Sequence, residues 1–457
     1  MPKEITSDGE LRFGGFASYP NSAAFDPNKG ILEYSENMEV FEGVVSVRKG
    51  SVLAGTASAP VTYACSAYSS TGDSILLWGA NQRFNCQTGA FTTQTLTTKP
   101  QTRGQGYQNA IALESSVSDF DACGNICERL VTAKGDKIDF TLYTGSQPYE
   151  PDSAYLVQGT YDTIQAMDVG VNAITAFGKR SIYSIKAGLG RQANIKRLPV
   201  DGIFHQIELL SDSCGIVGKD AMAYCGDSLT FLDIEGIRSF NGEKFSDSDS
   251  LVSDPIKDII DLIDPSKLSQ VCAVGLKDRC YYALPLLGSY NKTVILCMNA
   301  TVEGLFESLH VYPYSIDLLC VARKDGIPRL WGINKALGRV YLLDEGTTDN
   351  GTAIQARIRS RNYFNRTHHD KRYEACFLSM NTNGAANVEF NFHAVNPDGN
   401  WTLDVVEDNL GSTVRRALAN KKCMGAKLEV VVKSGRPSIY SIGVEMSLAG
   451  RSIFSSF

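Results

Sequence analysis

Short apolar runs separated by residues carrying Gly, Asp or Asn fill this chain from about Val61 to Asp344. They include SILLWGAN, AITAFGKRSIYSI, SLTFLDIEGIRSF, CYYALPL, TVILCMNATVEGLFESL and LLCVARKDGIPRLWGIN. Runs of this kind bounded by turn residues read as strands. A phrase of strand, glycine turn and strand recurs at Ile75–Arg83, Ile174–Tyr183, Leu229–Arg238, Val294–Phe306 and Leu319–Trp331. Its spacing lies near the ~40–50 residues of a propeller blade. No helix-length periodic segment alternates with these strands, which excludes a parallel βαβ architecture. The pattern predicts a β-propeller-like body over residues 61–345, with a plain pair of sandwiches as the other all-β solution.

One helix interrupts the pattern. The runs Ala221–Cys225, Leu229–Ile234 and Ile237–Phe240 read as a β-meander that ends at Asn241-Gly242, a strong hairpin dipeptide. After it, Ser253 or Asp254 can cap a helix over about 254–264. Pro255 suits its first position, and Ile256, Ile259, Ile260 and Ile263 share one face. This face is expected to pack on the propeller as a clasp between blades.

The flanks differ from the body. Residues 1–60 read as an extended arm, broken by Phe13-Gly14-Gly15-Phe16 and Tyr19-Pro20, followed by a hairpin around Glu42-Gly43. A boundary falls at Gly346–Ala353. Beyond it AIQARIRSRNYF, YEACFLSMN, NVEFNFHAV, WTLDVVED, KLEVVVKSG and SIYSIGVEMSL alternate with period two, predicting a C-terminal antiparallel β-sandwich over residues 352–457. The expected class is all-β: a propeller-like body, a C-terminal sandwich and one amphipathic helix.

Composition narrows the function more than the fold. A net charge of −6 gives no general grip on a phosphate backbone. The chain has no basic start followed by an apolar core, and no run approaches the ~18 apolar residues of a membrane span, so a cytoplasmic origin is expected. The twelve cysteines are scattered, apart from a CxxxC at Cys123 and Cys127, and read as buried free thiols. His368-His369-Asp370 lacks a third ligand and reads as an exposed loop. No GxSxG, HExxH, Walker or Rossmann pattern stands in a usable context, so no catalytic residue, cofactor or metal is expected.

The densest charge feature is basic: Arg357, Arg359, Arg361, Arg366, Lys371 and Arg372. Arg357, Arg359 and Arg361 alternate with Ile358 and Ser360, so their guanidinium groups leave one face of a strand. That face suits solvent, a complementary acidic subunit or, third, DNA.

Several stretches carry a family resemblance. Gly14 and Gly15, Glu36-Asn37-Met38, Gly43 and Arg48-Lys49-Gly50 are similar to the opening of many tailed-phage virion proteins. AITAFGKRSIYSIKAGLG, the Gly215–Gly242 meander with its following helix, and CYYALPLLGSYNKTVILCMN extend the likeness. Together they resemble the packaged-DNA stabilisation and tail nozzle (tail hub) proteins of short-tailed bacteriophages. The resemblance implies a non-enzymatic virion protein in a six-fold homo-oligomeric ring below the portal and its adaptor. It would touch tail fibre or tail needle proteins and surround DNA that passes without sequence-specific binding. Subunit contacts are then expected at Phe13, Phe16 and Tyr19 of the arm and at the six basic residues. Assembly would take place in the host cytoplasm, away from any membrane.

Two rivals are defined by what they need. A carbohydrate-binding or carbohydrate-active propeller requires a pocket with exposed aromatics and paired acids. A host-receptor-binding tail protein would bind intact cells.

Overall fold

The computed structural model describes residues 13, 15–18, 31–67, 72–94, 162–169, 174–186, 206–240, 245, 250–288, 292–302, 305–361, 371–384, 386–395, 401–407, 415–423 and 425–448, together with the strands between 109 and 156. The fold is all-β, with a propeller-like body built from six sheets.

The first three sheets run in chain order: Tyr63–Ala67 to Phe91–Thr93, Asn109–Leu113 to Pro151–Leu156, and Ala166–Val169 to Gln206–Ser211. A three-stranded fourth sheet holds Met222–Cys225, Ser228–Leu232 and Ile237–Phe240, the predicted meander. The fifth begins at Cys272–Leu276 and reaches Phe306–Tyr312. The sixth holds Leu318–Lys324, Ile327–Asn334 and Arg339–Leu342. First strands of neighbouring sheets pack side by side, as Met222–Cys225 does on Cys272–Leu276, and Leu318–Lys324 on both Cys272–Leu276 and Tyr63–Ala67. This places the leading strand of each sheet at the hub.

The ring is closed by the N-terminal part of the chain. Val52–Thr56 pairs antiparallel with Arg339–Leu342 and becomes the outer strand of the sixth sheet before the chain enters the first. A strand from one end completing a sheet from the other ties the circle together. Phe84 of the first sheet meets Trp331 of the sixth edge-on, with ring centroids 5.5 Å apart, in the apolar cluster under this seam.

The described residues of the predicted arm and hairpin, 13, 15–18 and 31–60, contribute to both bodies. Tyr34–Glu36 lies between Phe306–Tyr312 of the fifth sheet and Ala356–Arg359. It fuses that blade into a nine-stranded sheet with Gly425–Ser434, Asn387–Val395 and Trp401–Glu407. The predicted hairpin forms as Met38–Phe41 and Val44–Val47 around Glu42 and Gly43, both at positive φ. It joins Ser438–Leu448, Lys371–Asn381 and Arg415–Cys423 in the second sheet of the sandwich. The two sheets close over Ile358, Phe390, Phe392 and Val430 from one side and Val45, Cys376, Leu378 and Ile442 from the other. Phe13 and Phe16 are buried in this same core. Gly15 holds φ +107°, and a Cβ there would stand 2.5 Å from the Phe306 carbonyl oxygen, so the Gly-Gly break lets the segment lie against its own fifth blade.

The helix is shorter than its pattern. A 3-10 turn, Asp254–Ile256, leads into a single α turn, Lys257–Ile260, and a second 3-10 segment follows at Pro265–Gln270. All four isoleucines are nevertheless buried, and Ile263 forms an isolated bridge with Leu286, just beyond the Arg279–Leu284 strand. The periodicity encodes a buried face, while the α turn stops at Ile260 and Pro265 stands at the start of the second 3-10 segment, where its fixed φ is tolerated.

Candidate functional site

A cavity of about 1090 Å³ lies where the hairpin meets the fifth and sixth sheets. Clefts at such junctions are common ligand sites. One wall is the Glu39–Gly43 stretch, another the Leu276–Arg279 turn, and the third runs from Ile327 to Arg329 with Asp344. Strand alternation sends Val40 into the core and Glu39 and Phe41 outward, and Phe41 is 71% exposed. Ile327 is 49% exposed on the sixth sheet. The cleft therefore presents apolar side chains beside carboxylates and cations.

Its floor is fixed by a buried acid. Glu307 is fully buried and accepts from Arg279 Nε at 2.7 Å and Nη2 at 2.9 Å, and from Asn299 Nδ2 at 3.0 Å. It also accepts from the Val40 amide, while Arg279 Nη2 donates to the Val40 carbonyl at 3.0 Å. These bonds pin the hairpin to the fifth sheet and hold Glu39 at the cleft.

Two carboxyl groups stand out. Burial raises Glu39 above the ordinary carboxylate range, and the nearby Arg436 and Arg279 charges do not cancel that effect. Its Oε1 accepts the Lys49 amide at 3.3 Å, and its Oε2 lies 3.3 Å from Arg436 Nη2. Asp344 is likewise raised by burial, against the pull of Arg329, whose Nη1 donates to its Oδ2 at 3.2 Å. Asp344 Oδ1 and Arg329 Nε are buried without a hydrogen-bond partner. Lys49 links the two acids, through its amide to Glu39 and through its charge to Asp344.

A second pocket of about 540 Å³ lies at the hub. Asp168, Asp220, Tyr63 and Tyr224 line it from three different sheets and their approaches. Tyr224 is 42% exposed and donates to Asp168 Oδ2 at 2.5 Å. Lys219 Nζ stands 4.3 Å from the Tyr63 ring centroid, a cation–π distance. Burial pushes the Cys65 thiol up to about 11, so it stays protonated at neutral pH. No group of His, Cys, Asp or Glu among the described residues is arranged to hold a metal ion.

Apart from Phe13, the described residues singled out from sequence lie outside both cavities. Arg359 donates to Glu429 Oε1 from Nε at 3.2 Å and Nη2 at 2.8 Å, and Arg357 Nε is 3.8 Å from the same oxygen. Arg361 donates to the Ala17 carbonyl at 3.0 Å. Phe13 lines the cleft from within the core, and Phe16 is buried against Phe306. Arg372 is exposed on the second sandwich sheet, which also carries Lys371 in its backbone ladder. Tyr19 and Arg366 lie outside the described residues, as do His368 and His369. The strand's charge is thus largely met inside the chain.

Glu429 answers two of these arginines and makes a pH prediction. Burial alone would raise it, but hydrogen bonds from His393 and Arg359 and the Arg359 charge outweigh burial and hold it down at about 2. A carboxyl lowered by folding stabilises the native state above its unfolded value, and that contribution disappears as pH falls through the folded one. Glu429→Gln should therefore remove roughly 3 kcal/mol at neutral pH and have little effect near pH 2. Urea unfolding at a series of pH values would show the two proteins converging between about pH 5 and 2.

Neither Glu39 nor Asp344 belongs to a recognisable motif. The available signals were weak: an acid at an outward position of MEVF, and another directly after the apolar run VYLL.

No family model matches the chain, and no curated protein does. Solved structures similar to it include an exo-beta-1,3-galactanase from Phanerochaete chrysosporium, at 9% identity and a TM-score of 0.25, covering 86% of this chain and 100% of that one. Another, described as a glycoside hydrolase, has 10% identity and a TM-score of 0.23 and covers 86% and 99%. A glycoside hydrolase family 43 arabinoxylan arabinofuranohydrolase from Bacillus subtilis has 8% identity and a TM-score of 0.22 and covers 94% and 99%. Superpositions this loose align no individual residues, and no functional residue is carried over from them. These similar chains are enzymes acting on carbohydrate rather than virion proteins, and the expectation of a non-enzymatic phage tail nozzle is corrected on that finding.

Proposed function

We propose that this chain acts on carbohydrate, holding a saccharide in the cleft between the Glu39–Gly43 hairpin and the fifth and sixth sheets. The observation that supports this reading most is the pairing of Glu39 and Asp344. They come from segments far apart in the sequence, both are raised by burial, and both line one cleft beside exposed Phe41. Saccharides present hydroxyls that donate and accept, together with apolar ring faces. Carboxylates, guanidinium groups and an aromatic edge match that mixture.

Hydrolysis of a glycosidic bond needs one carboxyl that still carries a proton and one that takes a proton from water. In the proposed reaction Glu39 donates its proton to the leaving glycosidic oxygen as the bond from that oxygen to the anomeric carbon breaks. Asp344, beside the Arg329 cation, accepts a proton from the water whose oxygen bonds to that carbon. Burial raises both carboxyls, opposed at Asp344 by Arg329 and Lys49 and at Glu39 by Arg436 and Arg279, so each holds a proton to higher pH than an ordinary carboxyl.

Reducing-sugar release across a panel of xylan, arabinan, galactan and glucan tests the reading. The wild-type chain is expected to release sugar from at least one member. A folded protein that neither binds nor cleaves any of them would overturn it.

A further inference from the structure

The cleft and the hub pocket share a wall. Lys277, at the tip of the turn between Cys272–Leu276 and Arg279–Leu284, lines both cavities. It is exposed, in the left-handed region at φ 57°, and has no ion-pair partner among the described residues. On its cleft side lie Asp278 and the Glu39–Gly43 hairpin, and on its hub side Tyr63, Tyr224, Asp168 and Asp220. Cavities of about 1090 and 540 Å³ in sequence exceed the roughly 300–1,000 Å³ of a single small-ligand pocket.

We propose that the two cavities are consecutive subsites for one extended saccharide chain that passes over Lys277, so that the substrate is an oligosaccharide or polysaccharide. The inference rests on the carbohydrate reading of the cleft and names its substrate class. The hub pocket supplies what a further sugar unit needs. Tyr224 offers a ring fixed by its hydrogen bond to Asp168, and Asp220 adds a second carboxylate that can accept from hydroxyls. Lys277 carries three donors on a flexible four-carbon stem and can reach hydroxyl or ring oxygens on either side of the turn. A chain occupying only the cleft would leave that ammonium and the Tyr224 face in water.

Calorimetric titration of xylo- and cello-oligosaccharide ladders, from disaccharide to octasaccharide, tests the proposal on the full chain. For the wild type, affinity should rise by about tenfold or more from the shortest to the longest ligand, the effect of a hydrogen bond to a charged group. Lys277→Asn, which tolerates the left-handed backbone, and Tyr224→Ala, which changes only the hub side, should each bring that ratio back toward one. Thermal melts establish that both variants are folded. Binding whose strength does not change with length, or a ratio unaltered in both folded variants, overturns the subsite inference while the carbohydrate reading stands. Absence of binding at every length overturns the subsite inference, and with neither binding nor cleavage across the polysaccharide panel it overturns both.

Discussion

Replacing Asp349 by alanine is expected to destabilise the fold by about 3–5 kcal/mol, the usual cost of leaving a buried charge without its partner. Arg48 is 1% exposed and Asp349 4%, and the pair is bidentate, with Nη1 to Oδ1 at 3.0 Å and Nη2 to Oδ2 at 2.6 Å. The guanidinium also donates to Asn37 Oδ1 at 2.8 Å, to the Lys49 carbonyl at 2.9 Å and to the Val311 carbonyl at 3.0 Å. It sits over the Tyr312 ring, 4.0 Å from its centroid. One side chain thus joins the N-terminal hairpin, the fifth blade and the Thr348–Asp349 strand that leads into the sandwich. Alanine at 349 removes the counter-charge and the acceptor for Ser51 Oγ, 2.7 Å away. Urea unfolding would register the loss as a lower midpoint at similar slope. Replacing Arg48 and Asp349 together by apolar residues should cost much less than Asp349→Ala alone, because no buried charge is then orphaned. Equal costs for the single and double changes would mean that the pair acts through shape rather than charge.

The second large effect is on activity. Glu39→Gln should lower the rate of glycosidic cleavage by about 10²–10⁴-fold, the range for losing a positioned proton donor. Stability should hardly fall. Glutamine keeps the acceptor for the Lys49 amide, and Glu39 itself is raised by folding. A carboxyl raised in the native state contributes stability below its unfolded value and loses that contribution as pH rises through the folded one. At neutral pH the neutral amide is then no worse than the acid it replaces. The same sign applies to the wild-type rate, which should fall as pH rises through the raised Glu39 value. A variant with wild-type turnover and an unchanged pH profile would remove Glu39 from the proposed reaction.

How much of this was legible in the sequence depended on the range of the interactions. Hairpins such as Leu318–Lys324 with Ile327–Asn334 are local, and their apolar runs and turn residues announce them, Asp325 and Gly326 both adopting positive φ. The isoleucine face at 256–263 was legible as a buried face but not as a single helical turn, since burial and helix length are set by different neighbours. Arg415–Cys423 escaped notice because RRALANKKC has the composition of a solvated segment, and its Leu418 is indeed exposed. The fate of residues 1–60 was hidden for a different reason. Tyr34–Glu36 pairs with strands near residues 309 and 358, and nothing local in YSE specifies such distant partners.

The candidate site shows the same limit. Glu39 and Asp344 are unremarkable acids in their own segments, and only ring closure by Val52–Thr56 and the hairpin's place on the fifth sheet bring them to one cleft. Arg357 and Arg359 are conspicuous in sequence because they are consecutive on one strand face, yet Glu429, opposite Arg359 on the adjacent strand, answers them. Conspicuous charge marked a structural ladder, and inconspicuous charge lines the cleft.

The most direct measurement of the account is a crystal structure of the chain soaked with a xylo- or cello-oligosaccharide. Sugar density is expected between Phe41 and Asp344, with Glu39 and Asp344 within hydrogen-bonding reach of the same glycosidic linkage. Sugar bound on another face with the cleft left empty, or no sugar bound at saturating concentration, would contradict it.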